Sequence, residues 1–258
     1  MTVRGHRGAK QWYGTGLPYL KPRPLSGHLI VIEGTDGVGR STQIELLRPW
    51  LELEGYAVSN TGWTRSPLLS DTINEAKAGH ELTVATFSLL YAADFADRLE
   101  HQIIPALRAG SIVIADRYMY TAFARNMVMG ADPIWTRQLF GFALNPDLVL
   151  YLEIDIDHLL PRVVQGKGMD YWESGMHLAL GDDIVESFKR YQGRLIEEYN
   201  ILAREFDFVS VDARRSVDAI QGELREHLAA YLAEARTRSA APSARPTRTT
   251  NGRTRRRG

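Results

Sequence analysis

The chain has 258 residues, 44% hydrophobic and 24% charged, which suits one globular domain with a sizeable core plus tails. It has no cysteine, so disulfides, a thiolate zinc site and thiol catalysis are excluded. Its 31 acids balance 31 lysines and arginines, yet 1–24 and 236–258 are basic without a single acid, and the region between them is therefore strongly acidic.

In chain order, 1–25 reads as a flexible basic extension containing Trp12 and Tyr13. It lacks the apolar run of a secretory signal, and no hydrophobic stretch spans a bilayer, so a cytoplasmic location without membrane contact is expected. From 26 to 235 short apolar runs alternate with helical patterns. Strands are expected at 28–33, 56–60, 111–115, 147–153 and 207–211, and helices at 41–54, 68–78, 83–109, 133–143, 157–165, 182–205 and 215–234. This alternation predicts an α/β fold, a parallel five-stranded sheet flanked by helices on both faces, with ligands at the carboxyl ends of the strands. In the third helix Val84, Phe87, Tyr91, Phe95, Leu99, Ile103 and Leu107 form a stripe that reads as core packing. The tail 236–258, rich in Arg, Ser, Thr, Pro and Ala, reads as disordered. Its composition favours a solvated tail over weak, salt-sensitive contact with nucleic acid.

Three clusters carry chemistry. The first is Gly34-Thr35-Asp36-Gly37-Val38-Gly39-Arg40-Ser41-Thr42, between an apolar strand and a helix start. A Gly-rich turn there presents backbone N–H groups and a helix dipole to an anion, and the Ser41 hydroxyl suits Mg²⁺. Arg40 stands where such phosphate loops (P-loops) carry lysine, and a planar fork does not substitute neutrally for a point charge. The second cluster, Asp116-Arg117-Tyr118, follows the apolar strand Ile112–Ala115. Asp116 there suits Mg²⁺ or its water shell, and Arg117 suits a phosphate. The third, 165–175, combines three glycines with mixed charges and reads as a mobile lid, with Lys167 and Arg162 facing the transferring group. His28, His80, His101, His158 and His177 lack metal-site spacing and read as surface or cap residues.

Together these clusters resemble the thymidylate kinase family of P-loop nucleoside monophosphate kinases, from about His28 to Leu232. Glu33 to Gln43 is similar to that family's E-G-x-D-G-x-G-K-[ST]-T-Q with Arg40 for the lysine. Thr64-Arg65-Ser66-Pro67 resembles T-R-E-P, Leu89 to Asp94 resembles L-L-F-A-A-D, and Pro146-Asp147-Leu148 resembles P-D-L. The resemblance implies ATP and Mg²⁺, in-line transfer to the 5′-phosphate of a nucleoside monophosphate, dTMP first, and a homodimer packed through the 83–109 helix. Gly34, Gly37, Gly39, Arg40, Ser41 and Thr42 would hold the donor, and Ser41 and Asp116 the metal. Asp36 would face the acceptor's sugar and phosphate, with Arg117 and Arg65 on that phosphate. Departures fall in the acceptor site. Phe95 replaces a base-reading arginine, and Arg98, one helical turn later, is the candidate to reach the same space. Thr121 keeps a hydroxyl, and Arg125 replaces an aromatic residue beside the sugar. A kinase for another nucleotide or nucleoside, and a low-turnover nucleotide-binding regulator, stay open beside the dTMP reading.

Overall fold

A computed structural model describes residues 10–20, 25–79, 82–166 and 168–240. In chain order the elements are β1 (His28–Glu33), α1 (Arg40–Leu53), β2 (Val58–Gly62), α2 (Ser70–Ala78) and α3 (Val84–Arg98). A π-helical turn (Leu99–Ile103) leads into α4 (Ile104–Arg108). Then come β3 (Ile112–Asp116), α5 (Met119–Val128), α6 (Pro133–Leu139), β4 (Leu148–Glu153), α7 (Ile156–Gln165), α8 (Ile184–Glu205), β5 (Val209–Asp212) and α9 (Val217–Ala240).

The five strands form one parallel sheet in the order β2-β3-β1-β4-β5. Leu29 to Ile32 are fully buried, as a central strand covered on both faces requires. On one face Ile44, Leu47 and Leu51 of α1 pack with Leu224 and Leu228 of α9. On the other, Phe87, Phe95 and Leu99 pack with Phe123 of α5 and Tyr199 of α8. Strand order reverses around β1, between β3 and β4, and the carboxyl ends of β1 and β3 open there into a crevice. Among the described residues no helix is long and apolar enough to cross a membrane.

Several expectations shift. β2 begins two residues later than expected, at Val58. The expected helix 83–109 is interrupted by the π-helical turn just ahead of Pro105, whose ring would otherwise meet the His101 carbonyl. Helix α5 carries no clear sequence signal because Met119 to Ala124 are all buried, which leaves no polar face to set a period. Residues 10–20 are not a free leader. Tyr13 N–H bonds the Ala143 carbonyl at 2.8 Å, Gly14 N–H bonds Gly141, and the Tyr13 ring lies 5.5 Å from Phe123 and 6.0 Å from Phe206. Helix α9 runs on through 236–240, where Arg236 lies 5.0 Å over the Tyr56 ring, so this part of the expected tail is ordered. The rest of the tail and residues 1–9 lie outside the described residues.

Candidate active site

The β1-α1 turn folds as a phosphate loop because glycine stands where backbone and packing demand it. Gly37 has φ +79°, and a Cβ there would sit 2.3 Å from Val163 Cγ2 of α7. Gly39 caps α1 at φ 105°, so the amides of the first turn face the cleft together with the exposed Ser41 and Thr42. Arg40 is almost fully buried. Its Nε donates to Asp116 Oδ1 at 2.8 Å, and the Nη1 group donates to the carbonyls of Gly34 and Thr35. The guanidinium thus ties the loop to the end of β3. The other oxygen of Asp116 lies 3.5 Å from Ser41 Oγ. This hydroxyl and carboxylate edge, at the open side of the loop, fit Mg²⁺, which binds few protein oxygens and keeps waters and phosphate oxygens for the rest. Among the described residues no cluster of three or more His, Cys, Asp or Glu offers a denser metal site.

Beyond Asp116, Arg117 adopts φ +69°, a strained conformation that needs external support. Its N–H bonds the Ile32 carbonyl at 3.0 Å, and the next N–H, of Tyr118, bonds Glu33 Oε1 at 2.8 Å. Glu33 is fully buried and also accepts from Thr121 Oγ1 at 2.7 Å and Tyr199 Oη at 3.2 Å. Burial raises its pKa against those bonds, which favour the charged form. Glu33 therefore binds β1 to the Asp-Arg-Tyr turn and to α8. It stands just before the first cluster, and sequence reasoning gave it no role beyond the opening position of the family's loop motif.

Arg117 and Arg125 converge on one carboxylate. Asp36 pairs with Arg117 Nη2 through one oxygen and with Arg125 Nη2 through the other, at 2.9 Å for Arg125. Burial and the charge of Arg125 pull the Arg117 guanidinium down to about 10. Next to them lies a narrow cleft, its cavity volume only about 10 Å³, lined by Trp63, Phe87, Ser88, Tyr91, Thr121, Ala122, Arg125, Asn126 and Phe140. Tyr91 and Phe87 belong to the stripe that sequence periodicity assigned wholly to the core. One edge of that stripe is the cleft wall.

Other expected site residues lie elsewhere. Phe95 is fully buried, 5.8 Å from the Trp63 ring and 4.8 Å from Tyr118, and does not line the cleft. Arg98 is likewise fully buried, paired with Asp94 at 2.8 Å, and does not line the cleft. An unpaired cation there would be costly to bury, and Asp94 one turn back captures it. Thr121 lines the cleft with its hydroxyl engaged by Glu33. Arg65 is half-exposed, 3.8 Å from Asp116.

The segment expected as a mobile lid is packed down. Trp172 is 8% exposed, its Nε1–H bonds the Lys77 carbonyl at 2.9 Å, and its ring stacks on Phe87 at 5.8 Å. Ser187 Oγ and Gln192 Nε2 of α8 hold the carbonyls of Ser174 and Glu173 at 2.7 and 2.6 Å. Aromatic burial and these bonds outweigh the freedom that three glycines suggested. Lys167 lies outside the described residues.

His177 is part of this packing rather than a surface residue, 4.5 Å from the Trp172 ring. Burial, with a smaller contribution from Arg125, lowers its pKa to about 4. An unfolded histidine titrates near pH 6.5, so between about 4 and 6.5 only the unfolded chain takes up this proton. The stabilisation is complete above that window and is lost as pH falls through it. The melting temperature of His177→Gln is accordingly expected to drop less between pH 7 and pH 5 than that of the parent, by differential scanning calorimetry. An equal drop would contradict the assignment.

A family model described as Thymidylate kinase matches residues 32–224. Probable thymidylate kinase 2 of Saccharolobus solfataricus is 37% identical over 210 residues, which cover 81% of this chain and 98% of that relative. Probable thymidylate kinase of Thermococcus gammatolerans is 32% identical over 212 residues, covering 77% of this chain and 94% of the relative. Thymidylate kinase of Brachyspira hyodysenteriae is 31% identical over 166 residues, covering 64% and 82%. The family-model match spans both the phosphate loop and the cleft beside it, and the chain belongs to the thymidylate kinase family.

Proposed function

We propose that this chain transfers the γ-phosphoryl group of ATP to the 5′-phosphate of dTMP, and that its residues divide the work by position. The phosphate-loop amides hold the donor phosphates, and Arg40 braces that loop against the end of β3. Ser41 and Asp116 hold Mg²⁺, which when bound neutralises charge on the donor. Arg117, Arg125 and Arg65 orient the acceptor, with Asp36 fixing the two buried guanidiniums and meeting the sugar. No covalent enzyme intermediate is required; in-line alignment and fixed positive charge supply the rate.

The observation that carries this reading is the pairing of two buried arginines with one carboxylate between the phosphate loop and an aromatic cleft. One negative charge against two leaves a net cation for an acceptor phosphate, while the apolar lining of the adjoining cleft, Trp63, Tyr91 and Phe140 among it, marks the side on which a base would sit. We infer a cytoplasmic location and a homodimer packed through α3, a reading supported by the 54% exposure of Leu89 on the outer face of that helix.

A panel of dTMP, dUMP, dCMP, UMP and dGMP with ATP and Mg²⁺ tests the acceptor. The expected result is the highest kcat/KM for dTMP, with the purine lowest. Preference for another member would move the acceptor assignment. A low-turnover regulator is the second reading, and the engagement of Arg40 by its own loop carbonyls is what favours it. ATP binding without ADP formation for any acceptor would select it.

A further inference from the structure

The buried Arg98 is absent from the cleft, yet it stands behind the loop that carries Arg65. That loop leaves β2 at Gly62, which pairs in register with Asp116, so it starts at the edge of the active site. Thr64 has φ +57°, a left-handed conformation that a threonine holds only under external constraint. The constraint comes from α3 and the π-helical turn after it. Asp94 accepts the N–H groups of Thr64 at 3.3 Å and Ser66 at 3.0 Å, the two residues flanking Arg65. Asp97 accepts Ser66 Oγ at 2.5 Å. Gln102, within the π-helical turn, accepts Thr61 Oγ1 at 3.1 Å and donates Nε2 to the Arg65 carbonyl at 3.3 Å.

Arg98 completes this clamp from beneath. Its Nε donates to Asp94 Oδ2 at 2.8 Å and Nη1 to Thr61 Oγ1 at 3.2 Å, with both charged side chains fully buried. The guanidinium lies 5.4 Å from the Trp63 ring and 5.5 Å from Phe95. A buried ion pair is weak evidence for stability, because desolvation offsets attraction, but it fixes geometry. Here the fixed group is a carboxylate that accepts two backbone N–H groups at once. Gly62 admits the Arg65 side chain, since a Cβ there would sit 3.1 Å from its Cζ.

We propose that Arg98 is a positioning residue for the acceptor phosphate: acting through Asp94 and Thr61, it fixes the 61–66 loop so that Arg65 reaches along the end of β3. The proposal rests on the reading of Arg65 as an acceptor-phosphate anchor. In this chain the cation of α3 has moved behind the loop and serves another arginine.

The test uses the full chain and steady-state kinetics with ATP and dTMP, comparing Arg98→Met, Arg65→Ala, the double variant and Gln102→Leu. Arg98→Met is expected to raise the dTMP KM about tenfold, since small misplacements of an anchoring group are costly, while the ATP KM stays within about twofold. The double variant is expected to match Arg65→Ala alone, because Arg98 acts through Arg65. Losses that multiply, or an unchanged dTMP KM in Arg98→Met, would overturn the proposal. If Arg65→Ala leaves the dTMP KM unchanged, the reading of Arg65 falls first and the proposal with it. Should Arg98→Met not fold, the partly exposed Gln102→Leu decides. A rise of about threefold in dTMP KM supports the clamp, and no rise overturns it.

Discussion

Arg117→Met is expected to lower kcat/KM for dTMP by about 10³-fold while leaving ATP affinity within about twofold. The guanidinium is buried, held to Asp36 and aimed from a strained backbone that three neighbouring elements secure. Such a group acts without reorganising, and an apolar replacement leaves Arg125 as the one guanidinium offsetting Asp36, with no net cation from that pair for the acceptor phosphate. Arg117→Lys is expected to recover little of the loss, since a single ammonium cannot reproduce the fork. The pH profile should carry the same signature. Paired with Asp36, the guanidinium stays charged across the working range, so the variant's loss is expected at every pH from about 7 to 9. Steady-state kinetics and isothermal titration with ATP separate the two substrates.

Arg40→Lys is expected to lower kcat by about tenfold to a hundredfold and Arg40→Ala by about 10³-fold, each measured at saturating ATP and dTMP. In isolation the arginine looks like a defect in a phosphate loop. In place, its Nε and Nη1 reach in different directions, to Asp116 and to the carbonyls of Gly34 and Thr35. A lysine has one nitrogen for those three acceptors, so it would leave either the β3 end or the loop unsupported. The site is built around the guanidinium. A large gain in rate in Arg40→Lys would instead mark Arg40 as an impairment and favour the low-turnover regulator.

The phosphate loop, the sheet and the chain order of the strands were legible because each rests on local chemistry. Leu29 to Ile32 form an unbroken apolar run, and Gly34, Gly37 and Gly39 sit where only a turn against a helix uses them. Asp116-Arg117 followed from the same logic at β3. What escaped was set by distant contacts. Helix α5 has no polar face because it is covered on every side, so its period was invisible. Arg98 and Phe95 occupy suggestive positions on α3, but which face of that helix meets the cleft depends on how α3 packs against α5 and β2. The lid's glycines signalled freedom, while Trp172, Ser174 and Glu173 found partners on α2, α3 and α8 that no local pattern specifies. Tyr13 likewise needed Phe123 and Phe206, more than a hundred residues away, to leave the solvent.

The central claim is that a phosphate loop carrying arginine, joined to a preformed acceptor site, performs complete phosphoryl transfer. Phosphorus NMR of the purified chain with ATP, Mg²⁺ and dTMP measures this directly. dTDP and ADP are expected to accumulate in equal amounts, and about 10³-fold more slowly at sub-saturating dTMP in the Arg117→Met variant at the same enzyme concentration. ATP consumed without dTDP, or no turnover despite saturable ATP binding, would contradict it.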